Sequence, residues 1–122
     1  MKVLAALNKW QRRQFNYGDA DCCQFTAFIV NELTGHDYAA DFRYQSEQEA
    51  DNIINKFKGL KGLIVSILGE PSEQLKDGDP CLVAIPLSGE LMGVKLGSSI
   101  VALTEKGMIR IHERYLICGW SI

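Results

Sequence analysis

Apolar residues recur at helical spacing through the first half of the chain and in short alternating or continuous runs through the second, the period changing near Asp77-Gly78-Asp79. Val3, Leu7 and Trp10 predict an amphipathic helix over residues 2–14, with Lys9, Arg12 and Arg13 outward, ending before Tyr17-Gly18-Asp19. Asp21-Cys22-Cys23-Gln24 has the form of a capping box, in which the Asp21 carboxylate accepts the Gln24 amide and the Gln24 side chain reaches back. Cys22 is then the first residue of a helix that runs through Phe25, Ile29 and Leu33 on one face and stops at Thr34-Gly35. A second box, Ser46-Glu47-Gln48-Glu49, opens a helix with Ala50, Ile53, Ile54 and Phe57 on its apolar face and Gly59 as its close. Residues 63–68, between Gly62 and Gly69, read as a short buried helix, with a strand as the alternative.

Strands are predicted over residues 81–85, 92–96, 99–103, 108–112 and 116–121, joined by hairpin signals at Ser88-Gly89, Gly97-Ser98 and Lys106-Gly107. Helices first and an antiparallel meander afterwards argue for an α+β fold, with N-terminal helices packed on one face of a C-terminal antiparallel sheet of about five strands. At 122 residues the chain is expected to form a single domain, 1–122, large enough for its own core. Trp120, near the end of the last run, is expected in that core.

Thirteen basic against fifteen acidic residues give a net charge of −2, so nucleic-acid binding is not expected. The longest strongly apolar stretch, residues 62–69, is too short to span a bilayer, and residues 1–14 lack a signal-peptide core, so neither membrane insertion nor Sec export is expected. Four cysteines, Cys22 and Cys23 adjacent and Cys81 and Cys118 in apolar strands, do not make a secreted disulfide framework and are expected as reduced thiols. No C-x-x-C knuckle or EF-hand spacing occurs, and no glycine-rich loop opens a helix, so no metal and no cofactor is expected.

The chemistry concentrates at Cys22. A thiol reacts as thiolate, and the start of a helix lowers its pKa because unpaired N–H groups and the macrodipole favour negative charge. Hydrolysis requires in addition a base within hydrogen-bond reach and a group that orients the base. The chain has two histidines, His36 just past the cysteine's helix and His112 in the fourth strand at a position that alternation turns outward. Either, recruited to Cys22, would be an unconventional base.

Tyr17-Gly18, followed by Asp21-Cys22-Cys23-Gln24-Phe25 opening a helix, resembles the nucleophile segment of the NlpC/P60 cysteine peptidases. Gly78-Asp79 before an apolar strand resembles that family's Gly-Asp turn, and Met92-Gly93-Val94-Lys95-Leu96-Gly97 its Val-Gly-Ile-Tyr-Leu-Gly strand and turn. The resemblance implies a papain-like core with Cys22 at the nucleophile position and Asp21 beside it. It also implies a histidine directly before Met92 and a second polar residue about a dozen residues later. Leu91 and Ala102 or Leu103 stand there, and none of them can take a proton.

The wider pattern, with Trp10, Arg12-Arg13-Gln14-Phe15, Leu33-Thr34-Gly35-His36-Asp37 and Gly119-Trp120-Ser121-Ile122, resembles small phage and prophage proteins encoded among tail genes. That resemblance implies a catalytically silent tail-tip or baseplate component in the virion, or in the host cytoplasm during assembly. Its expected partners are tail proteins of the hub, distal-tail or tape-measure region, with self-association through the virion left open. The alternative is a peptidoglycan endopeptidase or amidase with Cys22 as nucleophile and His112 among the candidate site residues.

Overall fold

A computed structural model describes residues 2–10, 14–16, 21–40, 44–86 and 89–122. In these residues α1 (Lys2–Asn8), α2 (Cys22–Thr34), α3 (Glu47–Lys56) and α4 (Leu60–Leu68) precede β1 (Pro80–Ile85), β2 (Gly89–Leu96), β3 (Ser99–Thr104), β4 (Gly107–His112) and β5 (Leu116–Gly119). The architecture is α+β, as the change of hydrophobic period predicts. The outward placement of Arg12 and Arg13, the turn at Tyr17-Gly18-Asp19 and Ser88 of the first hairpin turn lie outside the described residues.

The helix caps follow the sequence closely, with differences in detail. Asp21 has extended backbone and its Oδ1 accepts the Gln24 N–H at 2.9 Å, so α2 starts at Cys22. It ends at Gly35, whose φ of 79° is the left-handed cap that glycine adopts without a Cβ penalty. Ser46 Oγ accepts the Glu49 N–H at 3.2 Å, while the Glu49 carboxylate bonds the Gln45 amide, one residue before the expected return bond. The first helix is shorter than the predicted 2–14, stopping at Asn8 and turning through Trp10. Likewise α3 ends at Lys56, with Gly59 N–H returning to Ile54 O, so Phe57 becomes an exposed cap residue and not a core one. Leu60 then starts α4 three residues ahead of the predicted 63–68 segment, and the helical alternative holds there.

All five strands pair antiparallel, in the order β4-β3-β2-β1-β5. This is a correction to the simple meander, because β5 leaves β4 and pairs with β1 at the opposite edge. Only Glu113–Tyr115, a single 3₁₀ turn, connects them. Four residue steps reach about 14 Å at full extension, whereas four interstrand spacings of a flat sheet come to about 19 Å. The sheet must therefore curl until its two edges approach each other.

Curling explains why both faces are buried although the helices cover one. On the helix side, Val94, Val101 and Leu103 pack with Val3, Leu7, Trp10, Phe25 and Ile29 of the N-terminal helices, where the Trp10 ring meets Phe25 edge-on at 5.7 Å. Leu82, Met92 and Trp120 of the same side pack with Leu60, Leu63 and Ile64. On the other side Cys81, Val83, Ile100, Ala102 and Ile111 form a core against Leu75, Tyr115 and Leu116, inside the curl and without a helix. Gly93 permits this closure: a Cβ there would lie 2.5 Å from Val101 O and 2.7 Å from Ile100 Cγ2.

Candidate functional site

The N-terminus of α2 abuts the middle of β2, and this juxtaposition builds the site. Cys22 and Cys23 occupy the first two positions of the helix and pack, half-buried, with Met92 and Leu82. A cavity of about 740 Å³ opens beside them, bounded by the start of α2, by α3 and α4 through Ile54 and Leu63, by Tyr44, and by the sheet through Met92 and Leu103. Its wall is mainly apolar.

Opposing influences act on the Cys22 thiol. The neighbouring Cys23 side chain, and less strongly the backbone N–H groups of Met92 and Cys23, hold the Cys22 thiol below the ordinary value. Burial and the nearby Asp21 carboxylate oppose them and do not win. The same shared proton, with burial behind it, pushes Cys23 well above the ordinary thiol value. The pair therefore ionises at Cys22 and keeps its proton on Cys23, in the sense that the helix N-terminus favours.

Asp21 is buried and occupied as an acceptor: Oδ1 takes the Gln24 amide and Oδ2 the Tyr44 hydroxyl at 2.5 Å. The Gln24 side chain acts on the Tyr44 phenol in the lowering direction, against the stronger influences that raise it. Burial first, then the neighbouring Cys23 and Asp21, raise the Tyr44 phenol far above its usual range, so it serves as a donor and not as a base. Nothing in the local sequence pattern identifies Tyr44, which comes from a segment between two helices; only the tertiary approach of that segment to Asp21 reveals it.

Neither His36 nor His112 lines the cavity beside Cys22. His36 follows the far end of α2, about 20 Å of helix rise from Cys22, and its ring lies against Tyr38 at 4.1 Å. His112 pairs with Ser99, four residues along β3 from the cavity-lining Leu103, about 13 Å. There it is exposed, and its Nδ1 accepts the Arg114 N–H at 3.0 Å.

The register also refines the reading of Leu91. It pairs with Val83 and packs against the helix-free core, although it borders the cavity as well. Met92, paired with Leu82, belongs to the buried cluster against which the two thiols pack.

The remaining cysteines lie on the paired strands β1 and β5. Cys81 is fully buried inside the curl, where burial pushes its thiol up to about 12. Cys118, on the neighbouring strand, packs on the helix side, and burial raises its thiol too. Facing opposite sides of the sheet, the two do not form a disulfide. Among the described residues no group of three or more Cys, His, Asp or Glu side chains is arranged to hold a metal ion, and no helix is long and apolar enough to cross a membrane.

Residues 1–122 match the model of a family described as a domain of unknown function, DUF6950. No curated protein matches the chain.

Proposed function

The chain belongs to the DUF6950 family, whose description assigns no activity, and we propose that it is a non-hydrolytic relative of the NlpC/P60 peptidases serving as a structural or assembly component of a phage tail tip or baseplate. The observation that carries the non-hydrolytic reading is the company of the Cys22 sulfur. Beside it stand the Cys23 thiol and the backbone amides of Met92 and Cys23, which cannot take the proton and return it to a leaving amine. Both imidazoles of the chain lie elsewhere. A papain-like ancestry is supported by a cysteine at the first position of a helix packed on the central strands of an antiparallel sheet. The tail role rests on the sequence resemblance alone, with tail proteins of the hub, distal-tail or tape-measure region as partners.

The second reading, a cysteine peptidase or amidase acting on peptidoglycan, is favoured by one observation: a thiol held below its ordinary value opens on a cavity. Purified protein incubated with peptidoglycan sacculi separates the two. The proposal expects no release of muropeptides and full infectivity of phage carrying Cys22→Ala. Fragment release that disappears in Cys22→Ala would establish the hydrolase. Co-purification with neighbouring tail proteins tests the assembly role, and a chain that travels alone through tail assembly contradicts it.

A further inference from the structure

Strand pairing is uneven along the sheet. The β1–β2 ladder runs on to Ile85↔Gly89 and the β3–β4 ladder to Thr104↔Gly107, whereas the pairing of β2 with β3 ends at Val94↔Val101. At that end the sheet forks into two hairpins, and the cavity beside α2 opens at the fork. Met92 and Leu103, which pack on the helix side, line it together with Ile85, Leu91 and Ile109, which pack on the other side. An unbroken β2–β3 ladder would keep these two sets apart. We infer that the fork is a docking slot for an extended segment of a partner protein, one that carries apolar side chains together with lysine or arginine and adds to the sheet between β2 and β3.

Register decides which backbone groups the slot offers. In an antiparallel strand the N–H and C=O of successive residues point to alternate sides. Lys95 makes both its bonds on the β1 side, accepting from the Gly78 N–H and donating to Asp79 O. The regular register of β1 with β2 therefore turns the backbone groups of Val94, Met92 and Glu90 towards β3. Val101, the partner of Val94, faces β2, and by alternation so does Leu103. Beyond Val94↔Val101 the two strands thus present facing edges, and an extended peptide joins such edges through main-chain hydrogen bonds.

Charge selects the segment. Glu47 and Asp51, one turn apart on α3, Glu90 on β2 and Glu105 in the β3–β4 turn are exposed and border the cavity. Lys106 is the one cation among the described residues that border it. Among the described residues none of the four carboxylates forms an ion pair. They stand on three elements around a mainly apolar wall, an arrangement that suits cations spaced along a chain better than a single cationic head group. The apolar wall takes the apolar side chains of the same segment. The inference goes beyond the assembly role, since it names the chemistry of the segment and holds whichever protein supplies it.

The test passes a library of random short peptides over the immobilised full chain at low ionic strength and sequences those retained. The expected result is enrichment of apolar peptides with a net positive charge. The most enriched of them, added to the isotope-labelled chain, should shift the amide signals of Glu90, Met92 and Leu103. Its affinity should fall about tenfold in the Glu90→Gln, Glu105→Gln double variant, which removes two exposed charges, and severalfold at high salt. No enrichment, enrichment of acidic or uncharged peptides, an affinity unchanged in the double variant, or shifts confined to the outer edges of β4 and β5 would overturn the proposal. Because the selection and the mapping use the native chain, they stand even where a variant fails to fold.

Discussion

At the start of α2, Asp21 does two jobs with one carboxylate, capping the helix and holding the Tyr44 hydroxyl. A hydrogen bond to a charged group is worth roughly 1.5–3 kcal/mol. Tyr44→Phe removes it without changing the ring, and we expect a loss of about 2 kcal/mol in urea unfolding. Asp21→Ala should cost more, because it takes the cap as well, a further ~1 kcal/mol. A double-mutant cycle should show the two residues strongly coupled, whereas additive effects would mean that the bond contributes little. The capping role of Asp21 was legible from the sequence because it is local. Tyr44 was not, since its partner lies twenty-three positions away and no periodicity links them.

Among the elements, the caps and strands were readable wherever local chemistry decides them, and misjudged where packing does. Asp21, Gly35 and Ser46 mark helix ends through their own backbones and side chains. Phe57 completes a helical stripe in sequence but falls past the last turn of α3, because the return bond from Gly59 to Ile54 closes the helix earlier. The β5 exchange to the other edge leaves no sequence signal, because it depends on how far the sheet curls. Two glycines separate local from packing effects. Gly35→Ala places a side chain in open space at positive φ, a strain of about 1–2 kcal/mol. Gly93→Ala meets the Val101 carbonyl and Ile100 in the tightest part of the curl, and the overpacking should cost at least about 3 kcal/mol. Thermal denaturation of the two variants checks the ranking, and equal losses would contradict the close approach of β2 to β3.

For the whole molecule, burial of protonated groups sets a direction for stability against pH. Cys81, ordinarily ionising near 9.0, is pushed to about 12 in the fold, and burial raises Tyr44 above its usual 10.0. A group whose folded pKa exceeds its unfolded one contributes fully below the unfolded value and loses that contribution as pH rises towards the folded value. Stability should therefore decline from about pH 9 upward as the unfolded chain ionises, and Cys81→Ala or Tyr44→Phe should flatten that decline. An alkaline profile unchanged in both would refute this origin.

At the same scale, the α+β class and the position of Cys22 were legible in the sequence, whereas the distance of a histidine from a thiol was not. Leu91 occupies the position where the family resemblance calls for a histidine, yet its packing on the helix-free core makes it weaker support than it first looks. The placements of His36 and His112 carry the conclusion instead.

That conclusion, a Cys22 thiolate stabilised without an imidazole, is tested most directly by the pH dependence of iodoacetamide alkylation at Cys22 in the native chain and in the His36→Ala, His112→Ala double variant. The account predicts one titration step, centred below the ordinary thiol value and superimposable in the two proteins. A second step in the native profile, or a slower and shifted profile once the histidines are removed, would contradict it.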